Sequence, residues 1–173
     1  AKGLIENIDK KSITIGLSGH EKCEMPKYAI RLYTALSKKP ATFELIVQKT
    51  TELGVTDIIP LITQRCQIQD LRKTDRLNLI IKEAAEQCER WFLPKLHEVM
   101  TFEDFRNNPP NGIILAGDAR NYDKKLSEIK FDGDVNLIIG PEGGLNDEEL
   151  SEVRKIGGVV FILGENVLRM ETA

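Results

Sequence analysis

The sequence predicts an α/β fold built on a parallel sheet. Three observations predict it. The apolar runs "VTDIIPLI", "GIILAGD", "VNLIIG" and "GVVFILG" are short, continuous and rich in β-branched residues. Strands of that kind are buried on both faces, as in a parallel sheet covered by helices. Between them lie stretches with apolar residues at helical spacing, so strands and helices alternate along the chain. There is also no internal repeat and no low-complexity tract.

Taken in order, residues 3–17 read as a hairpin, with "GLIENI" and "SITIGL" flanking Asp9-Lys10-Lys11. A lone hairpin buries too little surface to stand by itself. It is expected to close a β-rich domain whose earlier strands lie outside this sequence. "AIRLYTAL" (residues 29–36) alternates like a strand. Pro40 then opens a helix with Phe43, Ile46, Val47, Thr50 and Leu53 along one face, and Gly54 is placed to end it. "VTDIIPLI" is a strand ending at Thr63-Gln64-Arg65-Cys66. A long helix is expected from Thr74 to Arg90, with Leu77, Ile81, Ala84, Ala85 and Cys88 as its stripe. An extended piece over residues 95–99 follows, and Thr101 is an N-cap for "FEDFRNN". Two strands, "GIILAGD" and "VNLIIG", precede a helix over residues 147–156, and "GVVFILG" is the last strand.

The bulk numbers narrow the function classes. At 173 residues, 41% hydrophobic and 29% charged, the chain has an ordinary globular composition. No apolar stretch is long enough to span a membrane, and the first residues lack a signal-peptide plan. The start without Met and the end at Met170-Glu171-Thr172-Ala173 are those expected of a fragment. Cys23, Cys66 and Cys88 form no C-x-x-C pair, which fits reduced thiols in the cytoplasm. His20 and His97 lie far apart and near no clustered ligand pattern, so no metal site is expected. The net charge of −3 argues against a protein that coats nucleic acid non-specifically. Residues 1–40 are locally basic, however, with eight Lys or Arg against four Asp or Glu.

Ligands of an open parallel sheet bind beyond the carboxyl ends of its strands. Three such ends carry glycine: Leu115-Ala116-Gly117-Asp118, Gly140-Pro141-Glu142-Gly143-Gly144 and Leu163-Gly164-Glu165-Asn166. The middle loop matches neither phosphate-binding glycine pattern. It lacks the Lys and Ser/Thr of a phosphate cradle, and Asp147, Glu148 and Glu149 occupy the positive end of the next helix. Asn146 and Glu149 are spaced as a capping box. Such a site suits a ligand that is neutral or cationic and is read by backbone groups. S-adenosylmethionine, whose sulfonium is a cation, meets that description.

Four blocks, "LIIGPEGGLNDEEL", "ILGENVLRMETA", "ELIVQKTTELGVTDIIPLITQRC" and "IIKEAAEQC", together resemble the RsmE-type 16S ribosomal RNA uridine-N(3) methyltransferases. These belong to the SPOUT, or trefoil-knot, class. The resemblance spans residues 29–173 in order, and G-P-E-G-G followed by L-G-x-x-[VI]-L-R-x-E-T-A is its most specific part. It implies that residues 1–25 are the end of a small PUA-like RNA-binding barrel and that residues 26–173 are the SPOUT domain without its final helix. It also implies a C-terminal trefoil knot, S-adenosylmethionine as cofactor, and a homodimer. The implied substrate is 16S ribosomal RNA of the small subunit. Carried over by position, the cofactor residues are Leu115, Gly140, Glu142, Gly143, Leu163, Gly164, Leu168 and Arg169. Two features depart from the family pattern. Glu165-Asn166 stand where Pro-Arg or Pro-Lys is usual, and Gln64 stands where Glu is usual.

N(3) of uridine lies between two carbonyls, so its methylation needs proton removal or stabilisation of the imide anion. Arg169 is the first candidate for that cation and Arg65 the second. Glu142 is read as a loop organiser. Trp91 and Phe92 are read as core, Lys38 and Lys39 as solvated, and Cys66 as unreactive. Two alternatives stay open: a related knotted methyltransferase acting on another RNA, such as a transfer RNA ribose 2′-hydroxyl, and a non-catalytic RNA-binding scaffold.

Overall fold

The computed structural model describes residues 2–19 and 24–173, so the expectations for His20 and Cys23 lie outside the described residues. β1 (Lys2–Ile8) and β2 (Ile13–Gly19) form an antiparallel two-stranded sheet of their own. Its apolar side chains, Leu4, Ile5, Ile8, Ile13, Ile15 and Leu17, are all more than half exposed.

The remaining strands are β3 (Ile30–Ala35), β4 (Asp57–Ile62), β5 (Lys95–Leu96), β6 (Met100–Thr101), β7 (Ile113–Gly117), β8 (Lys124–Lys125), β9 (Val135–Ile139) and β10 (Val159–Ile162). They make one sheet in the order β5-β4-β3-β9-β7-β10-β8, with β6 also on β4. Its ladders are parallel. The expected α/β class with a parallel sheet is therefore the observed one. β3 does not alternate as its sequence suggests. It is a central strand, and Leu32 and Tyr33 are buried on opposite faces.

α1 (Pro40–Glu52) and α2 (Thr74–Gln87) cover one face, and α3 (Phe102–Asn107) and α4 (Asp147–Lys155) the other. Leu32, Leu36, Phe43, Ile46, Val47, Leu77 and Ile81 fill the first core. Tyr33, Ile59, Phe105, Ile138, Leu150 and Val153 belong to the second, where Tyr33 and Phe105 meet edge to face at 4.8 Å.

Left-handed residues end both long helices, at α1 as expected and at α2 earlier than expected. α1 ends at Glu52, and its C-cap Leu53 is 81% exposed rather than part of the apolar face. Thr51, not Thr50, completes that face, and Gly54 follows with φ +99. α2 ends at Gln87 rather than Arg90, because Glu89 takes φ 55 and breaks the helix. Arg90 then folds back, donating to the carbonyls of Thr51 (2.6 Å) and Val55 while its guanidinium covers the Phe92 ring. Trp91 is left 64% exposed, which corrects its assignment to the core. The two-residue β8 and the 3-10 turn Leu126–Glu128 carry no apolar pattern and were not expected. Among the described residues, no helix is long and apolar enough to cross a membrane.

Candidate functional site

The strand order brings the three glycine-marked ends together, because β9, β7 and β10 are consecutive neighbours. A cleft of about 970 Å³ opens over them. Gly117 and Ile139 form part of its floor, and the 140–144 loop and the 163–171 segment form walls.

The middle loop has its shape because of its glycines. A Cβ on Gly140 would lie 2.8 Å from the Leu145 nitrogen and 2.9 Å from the Gly144 carbonyl carbon, so no other residue fits without moving the loop. Gly144 has φ +70, and its amide donates to the Pro141 carbonyl at 2.8 Å, closing a tight turn. Glu142 is tethered by the buried Ser37 hydroxyl, which donates to its carboxylate at 2.7 Å.

α4 starts with the expected capping box. Asn146 accepts from the Glu149 amide at 2.6 Å, and the Glu149 carboxylate accepts from the Asn146 amide at 2.9 Å. Glu149 is only 6% exposed, and its other oxygen accepts from the Gln64 amide at 2.8 Å. The Asn146 side chain in turn donates to the Gln64 side chain. The end of β4 is thus fastened to the start of α4. Arg65 then reaches the middle loop, donating to the carbonyls of Gly143 (2.6 Å) and Leu145 (3.2 Å).

At the β7 end, one Asp118 oxygen accepts from the Arg120 and Asn121 amides at 2.8 and 2.7 Å. After β10 the chain lines the cleft and buries Met170 in the first core cluster, which also holds Phe43 and Ile139. The amides of Thr172 and Ala173 donate to the Arg169 carbonyl at 2.9 Å, so a turn carries Arg169, whose side chain is exposed at the cleft.

Of the residues expected from sequence, Arg65, Gly140, Glu142, Gly143, Leu163, Leu168 and Arg169 line the cleft. Leu115 is buried within β7 and Gly164 stands outside the lining; Gly117, two residues after Leu115, takes the strand-end position. Lys39, Thr42, Asp118, Arg120, Asp147 and Glu171 line it as well. Lys39, read from sequence as merely solvated, reaches the cleft because α1 begins beside it; nothing local in the sequence marks that.

The lining is charge-balanced. Lys39, Arg65, Arg120 and Arg169 face Asp118, Glu142, Asp147 and Glu171. With carboxylates filling the first turn of α4, a polyphosphate is disfavoured there. A zwitterion with an added cationic centre and an apolar body is matched instead. The glycine cradle, open to close backbone approach, fits S-adenosylmethionine in the same way. Among the described residues, no group of three or more His, Cys, Asp or Glu side chains is arranged to hold a metal ion.

Known proteins are similar in sequence and fold. The RNA methyltransferase domain family matches residues 23–173. The ribosomal RNA small subunit methyltransferase E of Rickettsia conorii is 31% identical over 98% of this chain and 70% of its own length. The crystal structure of the enzyme of that name from Neisseria gonorrhoeae, bound to S-adenosyl methionine, superposes with a TM-score of 0.88 at 25% identity, over 99% of this chain and 73% of that one. A Legionella pneumophila protein solved with bound SAM gives 0.84 at 32% identity, over 98% and 72%. This chain belongs to the RNA methyltransferase domain family, among relatives named ribosomal RNA small subunit methyltransferase E.

Proposed function

We propose that this chain is an S-adenosylmethionine-dependent ribosomal RNA methyltransferase acting on N(3) of a uridine in 16S RNA of the small subunit. The observation that carries the reading is the convergence of three glycine-marked strand ends on one charge-balanced cleft. Its relatives bind the cofactor in the same fold.

S-adenosylmethionine supplies an electrophilic methyl group on its sulfonium. The chain's own groups hold and orient it. The 140–144 loop offers backbone groups at close approach, and Glu142, tethered by Ser37, organises that loop. Leu163 and Leu168 give apolar cover. Arg169, exposed at the cleft on the segment fixed by Met170, is the cation that stabilises the uridine imide as its N(3) proton leaves. Orientation supplies much of the remaining acceleration.

The finer architecture belongs to the same reading. Residues 1–25 are the end of a PUA-like RNA-binding barrel, supported by a hairpin sheet separate from the main one. Residues 26–173 are a SPOUT domain. The crossing from β10 to the Met170 anchor is the start of its trefoil knot. A cytoplasmic homodimer is the expected form.

The test uses small ribosomal subunits lacking their own modification and radiolabelled S-adenosylmethionine. Recovery of 3-methyluridine is the expected result. A methylated ribose or another nucleoside would overturn the target. Cofactor binding without transfer to any RNA would favour the scaffold.

A further inference from the structure

We infer that Arg65 is a positioning residue that clamps the 140–144 loop in its cofactor-binding shape, rather than a cation presented to RNA. The inference rests on the reading of the cleft as an S-adenosylmethionine site. Three observations carry it. First, a single nitrogen, Nη1, donates to the carbonyls on both sides of Gly144, those of Gly143 and Leu145. Gly144, with φ +70, lies between these two acceptors, so the clamp holds the 143–144 and 145–146 peptides around the left-handed residue.

Second, the aliphatic stem of Arg65 lies along Gly143. Its Cδ is 3.4 Å from where a Gly143 Cβ would stand. The side chain thus grips the loop by packing and by hydrogen bonds together. Third, the backbone that carries Arg65 is itself held. The neighbouring Gln64 amide is fixed by the buried Glu149 carboxylate, which also caps α4. The loop and its clamp are therefore referred to the same helix terminus. A guanidinium whose Nη1 serves two carbonyls loses freedom to follow a phosphate. A loop held before the ligand arrives needs less ordering on binding, which raises affinity.

The experiment uses the whole chain with Arg65→Ala and Arg65→Lys. Cofactor affinity is measured by calorimetry without RNA, and hydrogen exchange is followed at the amides of residues 143–145. KM for each substrate and kcat complete the set. For Arg65→Ala we expect cofactor affinity to fall at least tenfold and exchange to quicken at those amides alone. KM for the cofactor should rise more than kcat falls. Arg65→Lys, with a shorter donor, should recover part of the loss.

Unchanged cofactor affinity and unchanged exchange, with RNA affinity reduced and its salt dependence shallower, would overturn the clamp in favour of an RNA-facing cation. Should Arg65→Ala fail to fold, Arg65→Gln takes its place under the same criteria. If the unaltered chain binds no S-adenosylmethionine, the functional reading fails, while the exchange measurement still decides whether Arg65 holds the loop.

Discussion

The two ends of the parallel sheet are built from different materials. At the amino ends of the strands, side chains do the fastening. Arg31 pairs with Asp134 at 2.8 Å, and Asp134 also accepts from the Ala29 amide at 2.9 Å. Asn136, fully buried, donates to the Asn111 carbonyl at 2.9 Å, and His97 meets Asp57 at 2.7 Å. At the carboxyl ends the middle loop is shaped by backbone turns and glycine, and Arg65 and Ser37 grip it from outside. Its nearby charges, Arg169 above all, face the cleft. The contrast separates two duties. Charged groups at the amino end hold strands in register; at the carboxyl end Arg65 and Glu149 hold the loop and the helix start, while Arg169 is left exposed to a ligand.

Substitutions should respect that division, and the largest effect is expected at the carboxyl end. Arg169→Ala should reduce methyl transfer by about 100- to 1,000-fold with little change in melting temperature, because the side chain is exposed. Full activity in this variant would remove Arg169 from the chemistry. Gly140→Ala forces the loop away from Leu145, and a displacement on the order of 1 Å costs about 100-fold in catalytic efficiency. The steady-state kcat/KM for the cofactor reads it, and wild-type kinetics would show that the loop tolerates the methyl group.

The matching change at the other end is Gly112→Ala. Gly112 has φ +103, and a Cβ there would lie 2.4 Å from the Asp134 carbonyl oxygen. A loss of about 2–3 kcal/mol is expected from strain of this kind, read by urea unfolding. Cofactor affinity of the molecules that remain folded should be preserved. A variant as stable as the parent, or one that folds but no longer binds, would break the division of labour.

The smallest effect concerns pH. The Ala29 amide and then Arg31 hold the Asp134 carboxyl below the usual aspartate range. A carboxyl depressed in the folded state contributes stability that is fully present above its unfolded pKa. That contribution is lost as pH falls through the folded value. The melting temperature of the parent should therefore exceed that of Asp134→Asn at neutral pH, and the gap should close in acid. A gap independent of pH would assign the effect to packing instead.

Much of this was legible in the order of residues, for identifiable reasons. Continuous apolar runs mark strands buried on both faces, and local capping chemistry marked Thr101 and Asn146, each confirmed by its hydrogen bond. The glycine-marked ends were visible singly, but their adjacency depends on the strand order. Glu149 was readable as a partner of Asn146, three residues away. Its second partner, Gln64, is 85 positions distant, and no local pattern encodes it. The carbonyls that hold Arg65 are likewise backbone groups without any sequence signature. Trp91 was misplaced because hydrophobicity predicts burial only on average, and a left-handed Glu89 turned the chain outward.

The anchoring of Met170 bears on the order of events during synthesis. Strand β3, among the first of the sheet to leave the ribosome, must wait for β9, some hundred residues later, before its second edge is paired. The 163–171 wall of the cleft waits longer still, since it is pinned only when Met170 joins the core cluster that holds Phe43 and Ile139. A nascent chain shorter than that point has its sheet but lacks the anchored wall. Capacity to hold a ligand is thus acquired late, after the scaffold that supports it is already in place.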